Sequence, residues 1–432
     1  MLLLSLLIAA YCFAAAWALS TPVPTADNAQ LWGNFQPDEF GHASVARYMA
    51  EHGTLPPYVW PYDTSVHPPL YHALASLVFR IFAPRFGSPA ALLAIRLLTG
   101  LCAPGIVYLA YRSARNFTSR SGALLAATFV LLVPMRASLS GGITNENLAA
   151  LGAAGAFAVL LGGVRGRAGF TPRRLVLLML WTVVGVGSKL TCLGLLPAAA
   201  IALIDAGRRR RRPLSQALWQ SSALLAVMAV SLGWWFARNI RLYGDPVRKT
   251  AADRLWSGSQ PGFEVLSRQK HLTALYYARS LAANGWRSFW GFFDGFGRPM
   301  PAWIYILLAL LTVVVALGWL RMVRFNAFPA ARRRQLLTAA AVVLTHVVYV
   351  AAIFFQYNWS HYTPQGRYFF VLLVPFGIAM AMGWKAALPV SVRRWATPSL
   401  LTALLALNLW LLYVVPNRLT MEGRPAPARG SL

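Results

Sequence analysis

Apolar runs close to the ~20 residues that a helix needs to cross a bilayer recur along most of this chain. They fall at 2–19, 90–111, 121–139, 147–164, 175–188, 190–206, 214–236, 301–320, 336–355, 368–385 and 397–415. The fold class expected is an all-α polytopic membrane protein with about eleven transmembrane helices. Charged residues make up only 12% of the 432 residues, against about 25% in a soluble domain. The net charge of +28 invites a nucleic-acid reading. The basic residues, 36 Arg and 4 Lys, sit instead in short clusters between apolar runs, so nucleic acid is not an expected partner. Cys12, Cys102 and Cys192 lie inside apolar runs and offer neither a disulfide framework nor a CxxC metal site. The first run lacks the basic leader of a signal peptide and is read as a retained helix. Residues 1–416 form one transmembrane unit, and 417–432 form a polar tail.

Arginine orients the helices, because cytoplasmic loops are enriched in Lys and Arg. One alternating set of loops holds Arg112, Arg115 and Arg120; Arg165, Arg167, Arg173 and Arg174; and the run from 208 to 212. It continues with Arg321, Arg324, Arg332, Arg333 and Arg334, then Lys385, Arg393 and Arg394. Placing this set in the cytoplasm puts the N-terminus inside and leaves only Asp205, of 12 acidic residues, on that side. The first outer loop is then 20–89 and the long one 238–300. Segment 67–82 is too short after its prolines to span. It is read as a helix in the outer interface, with His72 and Arg80 at headgroup level and membrane lipids as partners.

Five outer motifs carry candidate chemistry. Gln36-Pro37-Asp38-Glu39-Phe40-Gly41-His42 opens a helical pattern in which one face can present a carboxylate and an imidazole. Pro followed by acids is also an ordinary helix start, whose N-terminus favours negative charge. His67-Pro68-Pro69-Leu70-Tyr71 places a histidine where paired prolines turn it back toward the first loop. Thr144-Asn145-Glu146-Asn147 puts a carboxylate at a helix start beside the bilayer. Arg238-Asn239-Ile240-Arg241-Leu242-Tyr243-Gly244-Asp245-Pro246 opens a long loop with ten basic residues between 238 and 298, which suits an anionic substrate. Gln365-Gly366-Arg367-Tyr368 supplies the one basic residue of its loop.

Taken in order, these motifs resemble the GT-C superfamily of membrane glycosyltransferases, nearest to the bacterial protein mannosyltransferase and aminoarabinose transferase branch. The resemblance covers residues 1 to about 390. It implies a GT-C-type fold and transfer of a sugar from a polyprenyl-phosphate donor, with inversion, outside the cytoplasm in a bacterial inner membrane. The acceptor is an unnamed lipid, glycan or protein. By position, Asp38 looks like the catalytic base, with Glu39 and Glu146 beside it among the catalytic carboxylates. Substrate and phosphate binding would fall to His42, His67, Tyr71, Asn145, Arg238, Arg241, Arg367 and Tyr368. Many relatives have Asp where this chain reads Asn-Glu-Asn, and some carry a C-terminal soluble domain that is not read here, so acceptor recognition is expected in the outer loops. The chemistry is coherent on its own terms: a carboxylate takes the acceptor's proton, cations hold the departing phosphate, and a water-restricted site limits hydrolysis. A divalent metal on Asp38, Glu39, His42 or Glu146 stays open, though no spacing demands one. Two other readings are a transporter or flippase, which would bring repeats and a central charged pathway, and a non-catalytic scaffold of an envelope glycan pathway.

Overall fold

The computed structural model describes residues 1–24, 37–166, 169–256, 259–293, 298–324 and 330–421. Gln36, Arg167 and the tail beyond 421 therefore lie outside the described residues. All eleven apolar runs are helical. Among the described residues, nine helices are long and apolar enough to cross a membrane, or ten if one bent pair counts as a span. The eleventh, α8 (Pro172–Ser188), has 17 residues. The chain starts with α1 (Leu2–Ser20) and α2 (Glu39–His52), then enters α3 (Leu70–Gly100), α4 (Cys102–Ala114), α5 (Arg120–Leu131), α6 (Pro134–Ser140) and α7 (Asn145–Arg165). After α8 come α9 (Leu195–Arg209) and α10 (Leu214–Tyr243). The long loop folds as α11 (Lys249–Trp256), α12 (Phe263–Lys270), α13 (Ala274–Trp290) and a two-residue antiparallel pair, β1 (Phe292–Phe293) with β2 (Arg298–Pro299). The chain closes with α14 (Ala302–Arg324), α15 (Ala330–Ser360), α16 (Leu373–Ala387) and α17 (Val390–Met421).

Two departures from the hydropathy reading have local causes. The run at 121–139 is broken into α5 and α6, which meet at 67°. Pro134 lacks an amide donor and pushes Val133 into extended geometry (φ −72°, ψ 112°). Asn408 on α17 donates to the carbonyl of Leu132 at this break, at 3.0 Å. The second departure lies in α3, which bends at Gly87 (φ 82°, ψ 163°). With α4 it makes a 45-residue stretch, Leu70–Ala114, about twice what the hydrocarbon requires. The arm before Gly87 packs on α2, and Arg80 grips the Ala50 carbonyl at 3.0 Å. His72, expected at headgroup level, is instead fully buried against His42, because the arm turns that face inward.

The arginine loops gather at one end of the bundle. Arg165 bonds the Gln335 side chain and the Asn116 carbonyl, Arg332 bonds the Phe117 carbonyl, Lys385 bonds Ser119, and Arg209 pairs with Asp205 at 2.8 Å. The turns carrying the sequence motifs gather with one another elsewhere, around a pair that hydropathy did not flag. Arg96, buried in α3, meets Glu39 at 2.8 Å through both Nε and Nη2. Its other donors go to the carbonyls of Ala18, Thr21 and Pro22 at 2.7–3.0 Å, so all five N–H groups are used. Glu39 Oε1 also accepts from the Ile143 amide at 2.7 Å. One ion pair thus joins α1, α2, α3 and the turn before α7. Small residues allow the close approach: a Cβ on Gly141 would stand 2.5 Å from the Ala18 nitrogen, as small-residue contacts between membrane helices permit.

Removing one partner of a buried pair leaves an uncompensated charge and costs about 3–5 kcal/mol. Glu39→Gln is therefore expected to lower the unfolding temperature of the detergent-purified protein sharply and to reduce its yield. An unchanged melting curve would show that the pair does not hold the first loop.

Candidate active site

Asp38 sits at the boundary of α2 in left-handed geometry (φ 62°, ψ 8°), and its side chain caps nothing. That is a costly conformation for a residue with a Cβ. An ordinary helix start would have used the Asp38 oxygen as the cap; here the carboxylate turns away to Arg367. Arg367 donates through Nη2 to Asp38, through Nη1 to the Pro37 carbonyl at 3.2 Å and through Nε to Gln365. Gly41 lets the turn at Asp63–Val66 close over α2, since a Cβ there would come within 2.6 Å of Asp63 Oδ1.

Glu146 follows the N-cap Thr144, whose hydroxyl accepts from the Glu146 amide at 3.3 Å. Its Oε1 takes a bond from Lys189 and lies 3.7 Å from Arg367 Nε. Lys189 is the single extended residue between α8 and the short helix Leu190–Gly194, and its ammonium lies 4.7 Å from the Tyr368 ring centre. Asn145 sets this register by donating to the Ser188 carbonyl at 2.8 Å. The result is a line of alternating charge: Asp38, Arg367, Glu146, Lys189. The three carboxylates differ in access. The Asp38 side chain is 40% exposed, whereas those of Glu39 and Glu146 are 0% and 3% exposed.

Imidazoles and a guanidinium form the adjoining wall. His42 Nδ1 lies 2.8 Å from His72 Nε2, and the His67 ring stacks on His42 at 5.9 Å and 15°. The paired prolines do turn His67 back onto the first loop. Arg248 is buried in left-handed geometry (φ 60°) between Trp235 and Tyr243, at 5.6 and 5.0 Å from their ring centres. It donates to Asn239 at 2.7 Å and to the Ser65 carbonyl at 2.6 Å, stapling the long loop to the first. Its Nη2 has no hydrogen-bond partner among the described residues, and neither has Arg238 Nη1.

Several expected site residues have other tasks. Glu39 is consumed by Arg96 and Ile143, so it is a fastener and not an accessible carboxylate. Tyr71 bonds Thr99 at 3.2 Å and packs into the apolar cluster of α2 and α3. Asn145 holds backbone. Arg238 donates to the Leu55 carbonyl at 2.9 Å. Arg241 is exposed and forms no ion pair among the described residues. Arg367, expected on phosphate, spends its nitrogens on Asp38, Pro37 and Gln365 and holds the carboxylate instead. Lys189, Arg248, Arg96 and His72 were missed. A lone cation inside or beside an apolar run was the available signal for Arg96 and Lys189. Nothing in the local pattern singled out Arg248 among the ten basic residues of its loop. Among the described residues no group of three or more His, Cys, Asp or Glu side chains is arranged to hold a metal ion.

Burial holds the proton affinity of His42 well below the usual 6.5, and nearby His72, His67, Arg367 and Lys189 lower it further. The same causes act on His67, with burial first and then Lys189. An imidazole neutral in the fold but free to protonate when unfolded contributes stability above 6.5 that is lost as pH falls below it. The unfolding free energy, followed through the wild-type unfolding temperature, should therefore fall between pH 6.5 and about 5, by up to about 1.4 kcal/mol per pH unit for each such histidine. His42→Gln should flatten that slope; an identical slope would exclude His42 as its source.

Residues 66–235 match the model of the dolichyl-phosphate-mannose-protein mannosyltransferase family. The match takes in HPPLY and the Asn-Glu-Asn turn and stops before Arg238. Among curated proteins no match was found. Among solved structures the chain resembles the crystal structure of ArnT from Cupriavidus metallidurans bound to undecaprenyl phosphate. Identity is 16%, coverage is 89% of this chain and 77% of that one, and the TM-score is 0.40. Over residues 66–235 the chain is thus similar to the dolichyl-phosphate-mannose-protein mannosyltransferases, in keeping with the GT-C resemblance carried by its motifs.

Proposed function

We propose that this chain is a membrane glycosyltransferase that moves a sugar from a polyprenyl-phosphate donor to an envelope acceptor on the outer face of a bacterial inner membrane, with inversion and with Asp38 as base. The observation that carries the reading is the accessibility of Asp38: of the three carboxylates on neighbouring turns, it alone reaches solvent. One of its oxygens is taken by Arg367, which fixes the direction of the group. The acceptor hydroxyl gives its proton to Asp38 as its oxygen attacks the anomeric carbon from the face opposite the phosphate. The bond from that carbon to the phosphate oxygen breaks, and the polyprenyl phosphate leaves with the electron pair. Arg248 Nη2 and Arg238 Nη1 are buried donors still able to meet that developing charge, and His67 stands on the same wall. Glu146 keeps Lys189 and Arg367 in place and does not itself take the proton.

Asp38→Asn preserves shape and loses basicity. With donor binding retained, it should cut turnover in a transfer assay with polyprenyl-phosphate sugars by ~100-fold or more. Turnover near wild type would remove Asp38 from the role and turn attention to Glu146. Orientation is checked separately. In a variant without Cys12, Cys102 and Cys192, a cysteine at exposed Glu51 should react with an impermeant maleimide in whole cells, and one at exposed Arg211 should react only after lysis. The opposite pattern would place the site in the cytoplasm.

A further inference from the structure

Arg136, on α6, is 2% exposed, and its Nε, Nη1 and Nη2 have no hydrogen-bond partner among the described residues. The contrast with the other buried arginines is sharp. Arg96 uses all five donors, Arg367 pairs with a carboxylate, and Arg248 is held by Asn239 and Ser65. A second buried donor, Trp17 Nε1 on α1, also lacks a partner. The two donors lie on neighbouring helices, α6 and α1, which approach closely at Gly141, where a Cβ would stand 2.6 Å from the Trp17 Cβ. Both groups can only donate, since neither a guanidinium nor an indole N–H accepts. A donor-only set fits a species rich in acceptors and repels a cation. The guanidinium fork adds charge and matches two oxygens of a tetrahedral oxyanion.

We propose that Arg136 is the cation of an oxyanion site within the bundle, separate from the Asp38 cluster, that takes a phosphate-type group from a lipid headgroup or from free phosphate. The proposal does not depend on the transferase reading. An unpaired guanidinium in a protein interior is strongly unfavourable. The unliganded protein therefore carries a penalty that an apolar side chain of similar length removes and that the anion offsets.

The test compares unfolding temperatures of full-length wild type, Arg136→Met and Arg136→Gln in phosphate-free dodecyl maltoside micelles, with and without inorganic phosphate and with and without added phosphatidylglycerol. Arg136→Met should be more stable than wild type in the micelles alone. Wild type should gain stability with an anion, and both variants should lose that gain, with apparent affinity at least ~10-fold weaker. A gain with phosphatidylglycerol only assigns the site to a lipid headgroup, and a gain with inorganic phosphate assigns it to a free anion. The proposal fails if wild type gains nothing from either anion. It fails equally if the gain survives in Arg136→Gln, which would place the effect on the surface arginines, or if Arg136→Met is the less stable protein.

Discussion

The ion pair between Arg96 and Glu39 is the contact on which the candidate site rests. It is dry, bidentate and fully subscribed: five donors on one side, and on the other a carboxylate that also holds the Ile143 amide. Without it, the start of α2 would have no fixed relation to the end of α1 or to the turn before α7. The geometry of Asp38, one residue before Glu39 and held at φ 62°, follows from that anchorage. So does the position of Glu146, three residues after Ile143. In a bilayer, where unsatisfied polar groups are expensive, a saturated pair of this kind sets register more sharply than apolar packing can.

The adjacent acids divide labour by burial. Glu39 faces the bundle and is spent on structure; Asp38 faces the opening and keeps access to solvent. Glu146 lies between two cations, so a single buried carboxylate balances Lys189 and Arg367 together. The adjoining wall is cationic or neutral: three histidines and Arg248. A site with anchored negative charge on one side and unspent donors on the other suits a reaction in which a proton moves one way and a phosphate leaves the other.

The sequence was legible where physics acts locally. Apolar runs of bilayer length gave the helices, and Pro-Asp-Glu, His-Pro-Pro and Asn-Glu-Asn marked turns that do meet. What could not be read was which of two neighbouring acids points where, because the left-handed backbone at Asp38 decides it, and the carboxylate is met by Arg367, 329 residues away. Arg96 belongs to none of the motifs, although an arginine at that depth is itself a signal. Tyr71 and Asn145 sit in motifs that suggest ligand-binding groups. Their partners, Thr99 and the Ser188 carbonyl, lie on other segments and are invisible to local pattern. The bend between α5 and α6 was written in Pro134, but the run looked continuous by hydropathy alone.

That bend bears on how the molecule is made. The carbonyl of Leu132, freed where the helix breaks, is met by Asn408, which lies 276 residues further along the chain. A segment carrying both a proline break and Arg136 is a poor candidate for independent partition into lipid during synthesis. It reaches its final hydrogen bonding only after the ribosome has delivered α17. Until then the nascent third span must shelter beside protein, a chaperone or the translocation channel, so the order of synthesis and the order of completion run in opposite directions for this part of the bundle.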